Sequence, residues 1–204
     1  MKYVILVPVY NDRESLKLLI ENINYEIKDL NSEISLVVIN DASSQQIVDE
    51  YPNIENIHSI EIINMKENRG HTRCIASGLK YIYEKKEFDF IIPMDGDGED
   101  RPEEIKTFVE LSKKSGDKCI IGERVKRSEN MIFKLCYQFH KFLTLAFTGQ
   151  FIKFGNFTCL SKATVKKMLN EKATWNSFSG SLRKIEDNLT IIPSSRGIRY
   201  FGPS

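Results

Sequence analysis

Short β-rich apolar runs alternate with helical patterns through the first 122 residues, and that alternation leaves few folds open. "KYVILVPV" (2–9) is followed by a helical pattern from about Glu14 to Ile27, then "ISLVVI" (34–39) and "SIEIIN" (59–64). A second helical pattern runs from about Thr72 to Lys85. After it come "FDFIIPM" (88–94), a helix with Pro102 in its first turn, and "KCIIG" (118–122). Strands separated by helices pair in parallel, and right-handed crossovers cover both faces of the sheet. The expected fold is therefore α/β, with a mostly parallel central sheet and helices on both faces. Ligands of such sheets bind beyond the carboxyl ends of the strands. Three polar stretches fall there: "PVYND" (8–12), "INDASS" (39–44) and "DGDGED" (95–100).

A chain of 204 residues is enough for one sizeable domain and short for two. Lys plus Arg (29) almost balances Asp plus Glu (28), so no overall field favours nucleic acid as a partner. Cys74, Cys119, Cys136 and Cys159 are widely spaced, with no C-x-x-C pair, which speaks against a zinc site or a disulfide framework and for a reducing, cytoplasmic setting. The opening "MKYVILVPVYND" is too short in its apolar run for a signal peptide. No run reaches the ~18 apolar residues of a membrane span, so the expectation is a soluble or peripheral chain.

Local charge carries the chemical signal. Behind the apolar stretch Phe90–Met94, six acids (Asp95, Asp97, Glu99, Asp100, Glu103 and Glu104) fall within ten residues. Like charges that close repel, so a cation is expected among them. If strand geometry persists, Asp95, Asp97 and Glu99 project from one face, with Gly96 and Gly98 allowing close approach of backbone to a ligand. Hard oxygen donors of this kind suit Mg²⁺ or Mn²⁺ shared with a substrate diphosphate. A solvated acidic loop is the plain alternative. An EF-hand is excluded, because Asp100 stands at the sixth position and Lys106 at the twelfth. Asp41 follows the second strand, ahead of small polar residues able to cap a helix, and suits the donor groups of a nucleobase or ribose.

From about Lys126 the composition shifts. Seven of the twelve phenylalanines lie between Phe133 and Phe157, and the segment 131–149 is apolar nearly all round except for the stripe Lys134, Gln138 and Lys141. Two readings stay open: a core helix with one wet stripe, or a helix at a membrane interface.

Taken in order, "VPVYND", "VVINDASS", "ENRGHTRCIASGLKY" (67–81) and the D-x-D of residues 95–97 resemble the family 2 glycosyltransferases of the GT-A fold, within them the dolichol-phosphate mannosyltransferase and polyprenyl-phosphate glycosyltransferase branch. The resemblance covers the whole chain as a single domain, with a donor half over 1–122 and an acceptor half over 123–204. It implies that Pro8, Tyr10 and Asn11 frame the nucleotide pocket, that Asp41 contacts the base, and that Asn68, Gly70 and Arg73 lie beside the nucleotide. It makes Asp95 and Asp97 the metal and diphosphate motif, with Glu99 in place of a family glutamine near the metal. The donor implied is a UDP- or GDP-linked sugar.

On the acceptor side the resemblance points to Arg124, Arg127 and Lys134 as the cations that hold a phosphate, with Arg124 counted beside Asp95 and Asp97 as catalytic. Asn156 and Phe157 fall in the acceptor-side wall, and Arg199, Gly202 and Ser204 match a terminal R-x-x-G-x-S pattern. His71 receives no role. Two departures stand out: "TWNSFSGSLRKI" (174–185) lacks the acid that relatives carry there, and the membrane helices of many relatives are absent. A hydroxyl acceptor needs a general base, for which Glu186 and Asp187 in the following, solvent-facing turn are the candidates. A phosphate acceptor needs none, because it is already ionised. The expected activity is thus inverting, metal-dependent transfer of a sugar to polyprenyl phosphate at the inner membrane face. Transfer to a glycan hydroxyl, or nucleotide-sugar binding without turnover, are the alternatives. The sequence is silent on oligomeric state.

Overall fold

The computed structural model of the chain describes residues 1–47, 51, 54–124 and 154–202, with Arg124 described in its backbone only. The elements are β1 (Lys2–Val9), α1 (Arg13–Glu26), β2 (Glu33–Asn40), β3 (Ser59–Asn64), α2 (His71–Lys85), β4 (Phe90–Pro93), α3 (Ile105–Ser115) and β5 (Ile120–Arg124). They continue with β6 (Phe154–Ser161), α4 (Lys162–Asn170), α5 (Phe178–Ile185) and β7 (Thr190–Ser194). Local chemistry marks several boundaries. Pro102 opens a 3₁₀ turn ahead of α3, and Gly116, at φ +63°, ends that helix. The Ser161 and Ser177 hydroxyls cap α4 and α5 by accepting the backbone N–H of Thr164 and Gly180.

The strands form one sheet in the order β3-β2-β1-β4-β6-β5-β7. Pairings β1–β2, β2–β3, β1–β4 and β5–β7 are parallel, whereas β6 runs antiparallel to both β4 and β5. The sheet is mostly parallel, as the alternation of patterns predicts. β4 and β5 follow one another in sequence, but β6 lies between them.

Period-two alternation sorts the side chains of the central strands to two cores. Tyr3, Ile5, Val7 and Val9 of β1, with Leu36 and Val38, pack on α1 through Leu16, Leu19, Ile20 and Ile23, and on α3 through Phe108. On the other face, Val4, Leu6, Val37 and Ile39 meet Ile75, Leu79 and Ile82 of α2, Val165 and Met168 of α4, and Leu182 of α5. Cys74, Cys119 and Cys159 are buried free thiols. Burial, then the nearby Asp41 carboxylate, pushes the Cys74 thiol up to about 12.

Helix α2 lies close to the sheet because Gly78 faces it. A Cβ at Gly78 would stand 2.3 Å from Leu6 Cδ1. Gly78→Ala gains about 1 kcal/mol of helix propensity, but overpacking a filled core costs ~1–3 kcal/mol. Gly78→Val adds two more methyl groups without that propensity gain. A urea series is expected to show Val as the less stable variant, with both midpoints below that of the parent protein.

The segment 131–149 lies outside the described residues, and the choice between a core and an interfacial helix with it. Among the described residues no helix is long and apolar enough to cross a membrane.

Candidate active site

The carboxyl ends of β1 and β4 and the start of α2 meet at a cleft of about 180 Å³, lined among others by Pro8, Tyr10, His71, Asp95, Asp97 and Arg199. Beneath it β1 and β4 are packed into the core, with Leu6, Val7 and Ile92 fully buried. Tyr10, about half exposed, stands at the rim.

A second set of contacts ties the loops after β1 and β2. Asn11 adopts φ +50°, a left-handed conformation that asparagine accepts more readily than most residues. Its amide oxygen accepts the Ser44 N–H at 2.8 Å and the Ser44 hydroxyl at 3.1 Å, while its own N–H donates to Ser43 Oγ at 2.9 Å. Asp41 is 3% exposed, and its two oxygens accept the backbone N–H groups of Arg69 (2.7 Å) and Gly70 (2.8 Å). A buried carboxylate satisfied by two N–H donors is a loop brace. Gly70 takes φ +84° where the chain turns into α2. Asn68 and Arg73 are exposed on either side of that turn.

The acid loop departs from the extended geometry expected of it. β4 ends at Pro93, and Gly98 at φ +87° turns the chain, so the carboxylates do not share one face. Asp95 and Asp97 reach the cleft. Glu99 does not join them: its carboxylate forms an ion pair with Arg196. Among the described residues no three His, Cys, Asp or Glu side chains gather into a ready metal site. Asp97 Oδ1 accepts the Glu99 N–H at 3.0 Å, and Asp100 Oδ2 accepts the Asp95 N–H at 2.9 Å, so the loop is braced from within.

Three residues in or beside the cleft carry little or no sequence signal for a donor site. His71 Nε2 lies 3.3 Å from Asp95 Oδ1. The Asn156 amide nitrogen lies 2.6 Å from that ring nitrogen and donates to Asp95 at 3.5 Å. Arg199 pairs with Asp12 at 3.4 Å, joining positions 187 apart in the chain. Only adjacency to "NRG" could have drawn attention to His71, and nothing local places Arg199 against Asp12.

Several acceptor-side expectations change. Phe157 belongs to the core, edge-to-face on Phe108 with ring centroids 4.8 Å apart, and lines no wall. Glu186 is not solvent-facing: it accepts from Thr164 Oγ1 at 2.9 Å and Lys167 Nζ at 3.0 Å, which removes it as an unengaged base. Asp187 is exposed. Arg124 closes β5, but its side chain, with Arg127, Lys134 and Ser204, lies outside the described residues.

Fold and cleft define a family. Residues 4–177 match the model of glycosyl transferase family 2, and the chain belongs to that family. It is similar to the undecaprenyl-phosphate 4-deoxy-4-formamido-L-arabinose transferases of Proteus mirabilis, 31% identical over 136 residues (65% of this chain, 40% of the relative), and Photorhabdus laumondii, 28% identical over 167 residues (79% and 48%). The chain thus spans less than half the length of these relatives. Among solved structures it is similar to TarS 1-349 of S. aureus in complex with UDP-GlcNAc, with TM-score 0.65, 16% identity, and coverage of 99% of this chain and 60% of that one. It is also similar to the mannosyltransferase PcManGT of Pyrobaculum calidifontis in complex with GDP-Man and Mn²⁺, with TM-score 0.65, 15% identity, and coverage of 98% and 58%. The fold is the GT-A glycosyltransferase fold.

Proposed function

We propose that this chain transfers a sugar, with inversion, from a UDP- or GDP-linked donor to a polyprenyl phosphate at the cytoplasmic membrane face. The observation that carries the reading is the pair Asp95 and Asp97 at the carboxyl end of β4, lining one cleft with Pro8 and Tyr10. The named acceptor of the bacterial relatives, undecaprenyl phosphate, supports the lipid phosphate.

Two hard carboxylates on a turn, without a third from Glu99, fit a divalent cation that the donor diphosphate helps to hold. Asp95 and Asp97 would hold Mg²⁺ or Mn²⁺, which when bound neutralises charge developing on the leaving diphosphate. Asn156 and His71 both approach Asp95 Oδ1 and hold that carboxylate in place. Asp41 and Asn11 brace the loops against which the nucleoside would lie, and Asn68, Gly70 and Arg73 border it.

In the transfer, a phosphate oxygen of the acceptor attacks the anomeric carbon and the bond to the diphosphate oxygen breaks, its electron pair leaving with the nucleoside diphosphate. No proton has to be removed from an ionised acceptor, consistent with the absence of an acid from α5 and the engagement of Glu186. Arg124, Arg127 and Lys134 are proposed to position that phosphate.

The test is incubation with UDP- and GDP-linked sugars and Mn²⁺, with and without undecaprenyl phosphate. The expected result is a lipid-phosphate sugar formed only when acceptor, donor and Mn²⁺ are all present. Transfer to a glycan hydroxyl in place of the lipid would replace the acceptor assignment. Donor binding without turnover under every condition would make the chain a nucleotide-sugar binding protein.

A further inference from the structure

After β7 the chain returns across the acid loop. The Gly197 N–H donates to the Glu99 carbonyl at 2.8 Å, and the Tyr200 N–H to the Asp97 carbonyl at 2.9 Å. The Tyr200 ring occupies the space Gly98 leaves: a Cβ there would stand 2.6 Å from the ring. The phenol oxygen of Tyr200 accepts from Asn22 Nδ2 at 2.8 Å, anchoring the returning segment to α1. Against this support the Arg196 guanidinium pairs with Glu99, whose side chain is 13% exposed. Arg196 and Gly98 line a second groove, of about 440 Å³, while Asp95, Gly96 and Asp97 line the donor cleft.

Glu99 lies two residues beyond the cleft pair, whereas Asp12, which also lines the cleft, is already paired with Arg199. Released, Glu99 could turn toward a cation held by Asp95 and Asp97. Cation affinity of oxygen sites rises with the number of charged ligands. A third carboxylate would therefore bind metal without substrate and repel the donor's diphosphate. We propose that Arg196 is a positioning residue that holds Glu99 out of the donor cleft, so that Asp95 and Asp97 take up the metal together with the nucleotide diphosphate. The proposal rests on the reading of Asp95 and Asp97 as the donor's metal ligands.

Calorimetric titration with Mn²⁺ alone, and then with UDP or GDP at fixed Mn²⁺, tests it on four proteins: the parent, Arg196→Ala, Glu99→Gln and the double variant. Arg196→Ala is expected to bind Mn²⁺ alone roughly threefold to tenfold more tightly, within the lower part of the span of couplings between contacting residues. Its Mn²⁺-dependent affinity for the nucleoside diphosphate should fall by a similar factor. Glu99→Gln should resemble the parent, and adding it to Arg196→Ala should restore both values. A support role alone gives the opposite sign: weaker Mn²⁺ binding in Arg196→Ala and no rescue by Glu99→Gln. Either of those results overturns the proposal, as does an unchanged Mn²⁺ affinity. Arg196→Lys keeps the charge without the planar fork and should fall between parent and alanine, guarding against a folding defect in the alanine variant. If the parent binds neither nucleotide with Mn²⁺, the donor reading fails on its own, while the Mn²⁺-only titrations still decide the role of Arg196.

Discussion

Asp97→Ala is expected to abolish the Mn²⁺ dependence of nucleoside diphosphate binding and to lower turnover about 10³-fold, since charge neutralisation at a leaving diphosphate is worth several kcal/mol and each ~1.4 kcal/mol is tenfold in rate. The position serves two ends. Its carboxylate lines the cleft, and Oδ1 also accepts the Glu99 N–H at 3.0 Å. Alanine removes both, so it needs a companion. Asp97→Asn retains an acceptor for the Glu99 N–H and loses the charge. Calorimetry with UDP and GDP, with and without Mn²⁺, is expected to show no metal response in either variant, and thermal unfolding to show loosening in alanine alone. A metal response preserved in Asp97→Asn would remove the carboxylate from the assigned role.

The second large effect is expected at Asp41. Alanine there strips two charge-assisted bonds from the Arg69 and Gly70 N–H groups, leaving donors unsatisfied at a buried position. Hydrogen bonds to charged groups contribute ~1.5–3 kcal/mol each, and the pair is expected to cost about 3 kcal/mol. For a chain of this size that is a fall of roughly 6–12 °C in melting temperature. Asp41→Asn keeps one acceptor oxygen and should lose about half as much. Because the braced turn leads into α2 beside the cleft, the alanine variant should also bind the bare nucleoside less tightly. A loss confined to the sugar diphosphate, with an unchanged melting curve, would assign Asp41 to another subsite and deny it the brace.

The brace shows where motif reading reaches its limit. "VVIND" places Asp41 at a strand end, and it does directly follow the last residue of β2. What Asp41 does at that spot depends on Arg69 and Gly70, 28 and 29 residues later, and no spacing rule links them. Glu99 fails for a related reason. Alternation in "DGDGE" predicts a shared face only while the strand continues, and Gly98 at φ +87° ends that condition. Its partner Arg196 arrives from the far end of the chain.

Local pattern decided what is periodic. The alternating apolar residues of β1 assign Val4 and Leu6 to one core and Ile5 and Val7 to the other, because a pleated strand turns successive side chains to opposite faces. The same logic marked α1 and α2 within one residue at each end, and put the three polar stretches at the carboxyl edge of the sheet where the cleft lies. Tertiary packing decided what pairs across distance. It set β6 between β4 and β5, turned Phe157 into the core, drew Glu186 onto α4, and brought His71, Arg199 and Asn156 to the acid loop. Such contacts form where closing a long loop is repaid by burial and charge pairing over the whole fold, a balance that no short window of residues contains.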